Sequence, residues 1–354
     1  MGRGIFEIPE TCFAQGGPGM KTGRTVGLVL AAAVTAVALS CGSGEPKIDP
    51  NRITIAVIPK GTTHEFWKSI HAGAVKASRE LDVDVIWKGP LKEDDREAQI
   101  AVVEDMTRRG VKGIVLAPLD DTALRTPVAS ARKAGIPVVI IDSDLKSTDF
   151  ISFVATDNYK GGRLGGERLA KLLKGRGKVI MLRYEEGSAS TMAREKGFLD
   201  VMRKYGGIRV VSANQYGGAT TESSYRASEN LLAPLKKDGK LTIDGIFCPN
   251  ESTTFGMLRA LQDAGLAGKV RFVGFDSSTK LVAALKAGEL DGLVLQNPFK
   301  MGYLGVTTMV KHLKNKRAKV IRRIDTGVQL VTKENMDEPA VKEILTPDLK
   351  AWIR

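Results

Sequence analysis

Cysteine is scarce in these 354 residues: Cys12, Cys41 and Cys248 stand far apart with no CxxC pair. That excludes a disulfide framework and a cysteine-built zinc site. Histidine is as sparse, and His64, His71 and His312 form no ligand cluster, although the first two, seven apart, could share a helix face. The 53 Lys and Arg outnumber the 40 Asp and Glu, giving a net charge of +13. They are spread along the whole chain without a dense basic block interleaved with aromatics, so nucleic acid is not the expected partner. They read as solvated surface lysines, with an anionic ligand or an anionic lipid surface as the alternative. Signatures of catalysis are missing too. No G-x-x-x-x-G-K-[ST] phosphate loop and no G-x-S-x-G elbow occurs. "GGRLGG" (161–166) has the wrong spacing for a dinucleotide loop and does not directly follow an expected strand. It reads as small residues that let a helix pack closely.

A long apolar run is also absent, since a membrane span needs roughly 20 apolar residues. The longest, within "TVGLVLAAAVTAVALS", covers about 14; it follows Met20-Lys21-Thr22-Gly23-Arg24 and precedes Cys41-Gly42-Ser43-Gly44. A basic start, a short apolar run and small residues make an export signal over residues 1–40. Residues 1–19 lack that character and read as an upstream mis-start, with Met20 the true initiator. Cys41 resembles the lipidated cysteine of a bacterial lipoprotein. Leu39 and Ala38 depart from the usual pattern, so plain cleavage stays open beside lipidation. Either way, residues 41–51 form a flexible tether.

From residue 52 onward, short β-branched or apolar runs take over: "ITIAVI", "VDVIW", "GIVLA", "IPVVII", "GKVIML", "IRVVS", "DGIFC", "VRFVGF" and "GLVLQ". Stretches of helical period lie between them, such as the stripe Phe66, Ile70, Ala74, Ala77, Leu81. Alternating strands and helices mean βαβ units and parallel sheets covered on both faces. So many strands exceed one comfortable sheet. The expectation is an α/β chain of two doubly wound lobes, over about 52–155 and 156–296.

Ligands of such sheets bind beyond the carboxyl ends of the strands. The turns there carry Thr62–Trp67, Asp142–Asp144, Glu185–Arg194, Tyr216, Asn250-Glu251, Asp276 and Gln296. Thr62-x-x-Glu65 has capping-box spacing and places Phe66 and Trp67 in a first helical turn. Neighbours on a helix point about 100° apart, so one stripe cannot easily bury both rings. Packing under a loop and an apolar platform for a sugar's C–H face are both open. Asp142 and Asp276 could act as an acid/base pair. Accepting hydrogen bonds from hydroxyls is the other use, and nothing else points to bond cleavage.

Taken together, "HEFWKSIHAGA", "GIVLAPLD", "AGIPVVIIDSD", "VATDNYKGGRLGGERLA", "STMAREKGF", "IFCPNESTTFGMLRAL", "VRFVGFDSS", "LDGLVLQNPFKMG" and "IDTGVQLVTKEN" resemble the periplasmic sugar-binding proteins of the ribose-binding type. The likeness spans residues 52 to 335. It implies a type I periplasmic-binding-protein clamshell, two lobes joined by a three-strand hinge. Residues of about 297–325 would return to the N-terminal lobe and 326–354 to the C-terminal one. It also implies a site in which aromatics face a sugar ring while planar polar groups hold its hydroxyls. By motif position these are His64, Phe66, Trp67, Asp142, Ser143, Arg194, Tyr216, Asn250, Asp276 and Gln296. Ser143 stands where the ribose pattern has an arginine, which argues against ribose itself. Glu251 replaces an aspartate.

The function so implied is capture of a small sugar, a pentose, hexose or related polyol, and its delivery to a membrane ABC permease. Such a protein would be a periplasmic or envelope monomer, with no cofactor and no chemistry on the ligand. A sensor feeding a membrane kinase or chemoreceptor would use the same clamshell. A lactose-repressor-type core would need a helix-turn-helix where residues 1–51 carry the export signal, and a hydrolase has no visible machinery.

Overall fold

The computed structural model describes residues 48–317 and 319–353. The expected export signal and Cys41 lie outside them. The first half of the chain runs β1 (Thr54–Ile58), α1 (Glu65–Leu81), β2 (Asp84–Trp87), α2 (Arg96–Arg108), β3 (Gly113–Leu116), α3 (Arg125–Lys133), β4 (Val138–Ile141) and β5 (Ser152–Ala155). The second half runs α4 (Asn158–Leu172), β6 (Arg176–Arg183), α5 (Ala189–Met202), β7 (Gly207–Tyr216) and α6 (Thr221–Leu232). A small hairpin, β8 (Lys236–Lys237) and β9 (Lys240–Leu241), follows. It then continues through β10 (Gly245–Phe247), α7 (Glu251–Asp263), β11 (Arg271–Phe275), α8 (Thr279–Ala287) and β12 (Gly292–Gln296). The chain ends with α9 (Pro298–Lys314), β13 (Arg323–Asp325), β14 (Val328–Val331) and α10 (Pro339–Leu345).

Two six-stranded sheets result, in the orders β13-β5-β4-β3-β1-β2 and β14-β12-β11-β10-β6-β7. Stripped of the last-joining strand, each has the doubly wound order 2-1-3-4-5. The expected fold class is therefore observed. β13 joins its sheet parallel to β5, whereas β14 joins antiparallel to β12. The chain crosses between lobes at three places: before α4, before α9, and between β13 and β14.

Strand alternation explains the layering. Ile55 and Val57 point into one cluster with Phe66, Trp67, Ile70 and Met309, while Ala56 and Ile58 point into another with Val103, Met106 and Val128. The second sheet repeats this, with Val179 and Met181 on one face and Ile180 and Leu182 on the other. Residues buried on both faces read as continuous apolar runs, which is why most strands were visible in the sequence.

β5 was not among the expected runs, because "SFVA" is short and begins with a serine. The "GGRLGG" reading holds. A Cβ on Gly162 would lie 1.8 Å from the Arg194 carbonyl oxygen of α5, and one on Gly165 2.5 Å from the Phe247 ring. Glycine there lets α4 lie against both a helix and the sheet.

Candidate functional site

Two aspartates mark the site, one per lobe. Asp142 follows β4 and Asp276 follows β11, and both adopt the left-handed region, with φ of 60° and 67°. Each also donates its N–H to the next strand over, Asp142 to Val154 and Asp276 to Val294. Asp is among the few residues that tolerate this conformation, and strain of this kind concentrates at functional sites. Both carboxylates line a narrow cleft between the lobes.

The first lobe supplies an aromatic corner. Phe66 and Trp67 pack edge to face, 4.9 Å apart, and both line the cavity while belonging to the buried core. Trp67 Nε1 donates to Glu93 at 2.7 Å, and His64 Nδ1 pairs with the same carboxylate. Lys60 lies 3.3 Å from Asp142.

The second lobe supplies planar polar groups. Arg194 donates to Asn158 Oδ1 at 2.8 Å and to the Pro249 carbonyl at 2.9 Å, with its guanidinium over the Phe275 ring at 4.1 Å. Asp276 accepts from Gln296 Nε2 at 2.7 Å and from the Glu251 N–H at 3.1 Å. Asn250 caps α7 through the Thr253 N–H. Gln296 Oε1 is buried without a partner.

The lobes meet through specific bonds. Tyr184 O–H donates to Glu93 at 2.7 Å. Lys60 reaches Ser188 and Ser190, at 3.1 and 3.2 Å. The Thr62–Glu65 capping box does not form: His64 is the N-cap, without a side-chain bond, and Thr62 donates to the Pro90 carbonyl. The orphan N–H groups of α1 are instead met from the other lobe. Glu251 accepts from Glu65 and Phe66, at 3.4 and 3.2 Å. Glu65 returns the arrangement, accepting from the Thr279 N–H at the start of α8 at 3.1 Å. Carboxylates at helix N-termini are favourable both as acceptors and as charges facing the helix dipole.

Residues 55–317 match the family described as periplasmic binding protein domain. The chain belongs to that family. The ribose import binding protein of Haemophilus influenzae is 30% identical over 277 residues, 78% of this chain and 90% of that protein. The D-ribose/D-allose-binding protein of Pseudomonas aeruginosa is 31% identical over 294 residues, 80% of this chain and 90% of that one. Among solved structures, a carbohydrate transporter solute binding protein from Agrobacterium radiobacter in complex with D-arabinose is 34% identical. It superposes with a TM-score of 0.79, covering 84% of this chain and all of that one. As a periplasmic binding protein the chain is a solute-binding protein of the cell envelope and not an enzyme. Among the described residues no helix is long and apolar enough to cross a membrane, and no group of acidic, His or Cys side chains could hold a metal ion.

In this periplasmic binding protein one cavity gathers His64, Phe66, Trp67, Asp142, Arg194, Asn250, Asp276 and Gln296. Ser143 is buried behind it, accepting from the Ser190 N–H at 3.1 Å across the cleft. Tyr216 is a correction. It ends the edge strand β7, opposite Arg183, and lies exposed with that guanidinium over its ring at 4.7 Å. The second-lobe aromatic at the cavity is Tyr184, just beyond β6. Lys60, Glu93, Tyr184 and Thr191 were not anticipated. Glu93 sits in the loop after β2 among five other charged residues of "KEDDRE", so only its burial at 7% exposure separates it from a solvated run.

Burial disfavours every charge here, and pairing decides which survive. His64 is opposed by burial, yet the Glu93 charge and hydrogen bond, helped by Glu251 and Asp276, raise it to about 9. Glu93 is correspondingly held at about 2 by His64, Lys60 and Trp67, against its burial. Burial pushes Glu251 up to about 7. It also raises Asp276, against the pull of Arg194.

Proposed function

We propose that this chain captures a small sugar, a pentose, hexose or related polyol, between its lobes and delivers it to a membrane ABC permease. The observation that carries the reading is the composition of the cavity: an aromatic corner from one lobe facing a guanidinium, a carboxylate and an amide from the other, with Gln296 Oε1 unpartnered. Sugar hydroxyls both donate and accept, so a site for them needs acceptor, donor and dual groups together. The relatives that bind D-ribose, D-allose or D-arabinose support it. Ser143, behind the cavity, departs from the ribose pattern. The division we propose places 52–155 and about 297–325 in one lobe and 156–296 and about 326–354 in the other, working as a monomer that closes by hinge motion.

A thermal-shift screen against pentoses, hexoses and polyols tests the reading, because a ligand that binds only the folded form raises the midpoint. A shift with at least one sugar is expected; none with any would overturn it. We further propose that residues 1–40 are an export signal, starting in truth at Met20, and that Cys41 is lipidated. Cys41→Ser should then move the protein from the membrane fraction to the soluble periplasm.

A further inference from the structure

A second cavity, of about 210 Å³, adjoins the one between the lobes. The two share Phe66, Asp276 and Gln296 as walls. The remaining wall includes Ser69 of α1, Val282 of α8, Leu295 of β12, Pro298 of α9 and Ile344 of α10, with Glu65, Ser277 and Thr279 at a polar edge. Its roof is the segment after α10, which is tied to the other lobe: Arg79 donates to the carbonyls of Ala351 and Trp352, and the Trp352 ring lies under Lys76 and Arg79 at 5.2 and 5.4 Å. The cavity is thus framed by both lobes, as the first one is.

Two atoms make it more than a packing gap. Ser69 and Gln296 both line it, and Ser69 Oγ and Gln296 Oε1 are buried without a hydrogen-bond partner, on residues only 3% and 4% exposed. A helical serine ordinarily bonds back to the carbonyl four residues earlier. Ser69 does not, although Glu65 is in place. Buried polar groups without partners are rare because each carries its full desolvation penalty, so two on one wall point to a ligand that meets them. The rest of the wall is largely apolar.

We propose that the two cavities form one site and that the ligand class is a glycoside. This rests on the sugar-binding reading above. The sugar ring sits against Phe66 and Trp67, and the substituent at one end passes Phe66 and Gln296 into the second cavity. There it lays an apolar face on Leu295 and Pro298 and gives hydroxyls to Ser69 and Gln296. A second sugar ring and a hydroxylated aromatic aglycone share this chemistry.

The test is calorimetric titration of the full chain. For each of arabinose, xylose, glucose and galactose it compares the free sugar, a disaccharide and a hydroxyphenyl glycoside. In one series a glycoside is expected to bind at least about tenfold tighter than its free sugar, and whichever glycoside wins identifies the substituent. Ser69→Leu and Val282→Trp, one from each lobe, should each abolish that gain while free-sugar affinity stays within about twofold. Having two variants guards against one failing to fold, which the thermal midpoint reports. Free sugars that bind best in every series, or a gain that survives both substitutions, would overturn the glycoside proposal alone. No binding by any sugar would overturn the sugar-binding reading with it.

Discussion

Glu93 holds the aromatic corner in place. It orients His64 and Trp67 within one lobe and accepts from Tyr184 in the other. Tyr184→Phe removes only the bond across the cleft, worth about 1 kcal/mol net. Sugar affinity should therefore fall about fivefold, with little change in the ligand-free midpoint. Asp276→Ala strips a partner from both Gln296 Nε2 and the Glu251 N–H. At about 1–3 kcal/mol for each unsatisfied buried group, affinity should fall at least about 30-fold by calorimetry, and an unchanged constant would sink the site assignment. The ionised pair has a pH signature. Glu93, lowered to about 2, contributes stability that is complete above its ordinary value of 4.5 and lost as pH falls through 2. His64, raised to about 9, contributes stability that is complete below 6.5 and lost as pH rises through 9. Glu251, raised to about 7, also favours lower pH; its contribution fades between 4.5 and 7. Thermal midpoints of the sugar-bound, closed protein measured from pH 4 to 10 should thus decline on the alkaline side. His64→Gln should flatten the limb above about 6.5, and Glu251→Gln the limb below about 7. His64 and Asp276 were legible because they sit in turns after strands, and Arg194 because it lies in the motif "STMAREKGF". Glu93 and Lys60 were not, because a buried charge and a solvated one look alike in sequence until the partner is known.

At the scale of elements, two features position the site. α4 and α5 touch backbone to backbone because Gly162 faces the Arg194 carbonyl. A methyl group there must displace α5 and with it the guanidinium. Gly162→Ala should lower the thermal midpoint, consistent with overpacking costs of about 1–3 kcal/mol, and weaken sugar binding as well. The exposed Gly110, whose Cβ would meet nothing, is not a fair control, since its φ of 71° strains any side chain. Gly206 is one, being equally unobstructed without that strain. The reciprocal caps form the second feature. Glu65 and Glu251 each terminate a helix of the opposite lobe, so they bond only while the lobes are together. Glu65→Gln and Glu251→Gln should each speed ligand dissociation several-fold while leaving association nearly unchanged, as stopped-flow tryptophan fluorescence would report. The Thr62–Glu65 spacing suggested a local cap. The contact that formed lies 186 residues away, and no local pattern encodes a partner at that distance.

At the scale of the molecule, closure buries charges that neither lobe would bury alone. Small-angle scattering should show the radius of gyration falling when a sugar that binds is added; superimposable curves would overturn hinge closure as the capture step. The sequence alone determined that the chain is α/β with two doubly wound lobes, because strands buried on both faces must be continuous apolar runs and helices between them must carry one apolar stripe. It also marked, through the family resemblance, most of the residues that line the cavity, since the loops at strand carboxyl ends are adjacent in any such sheet. Tertiary structure decided the rest. It turned Tyr216 outward on an edge strand and brought Tyr184 to the cavity in its place. It buried Glu93 beside His64, and it joined Ser69 and Gln296 on one wall. Each of these outcomes depends on which surfaces of two separately folded lobes come to face each other, a long-range packing choice that residue types and spacing do not carry.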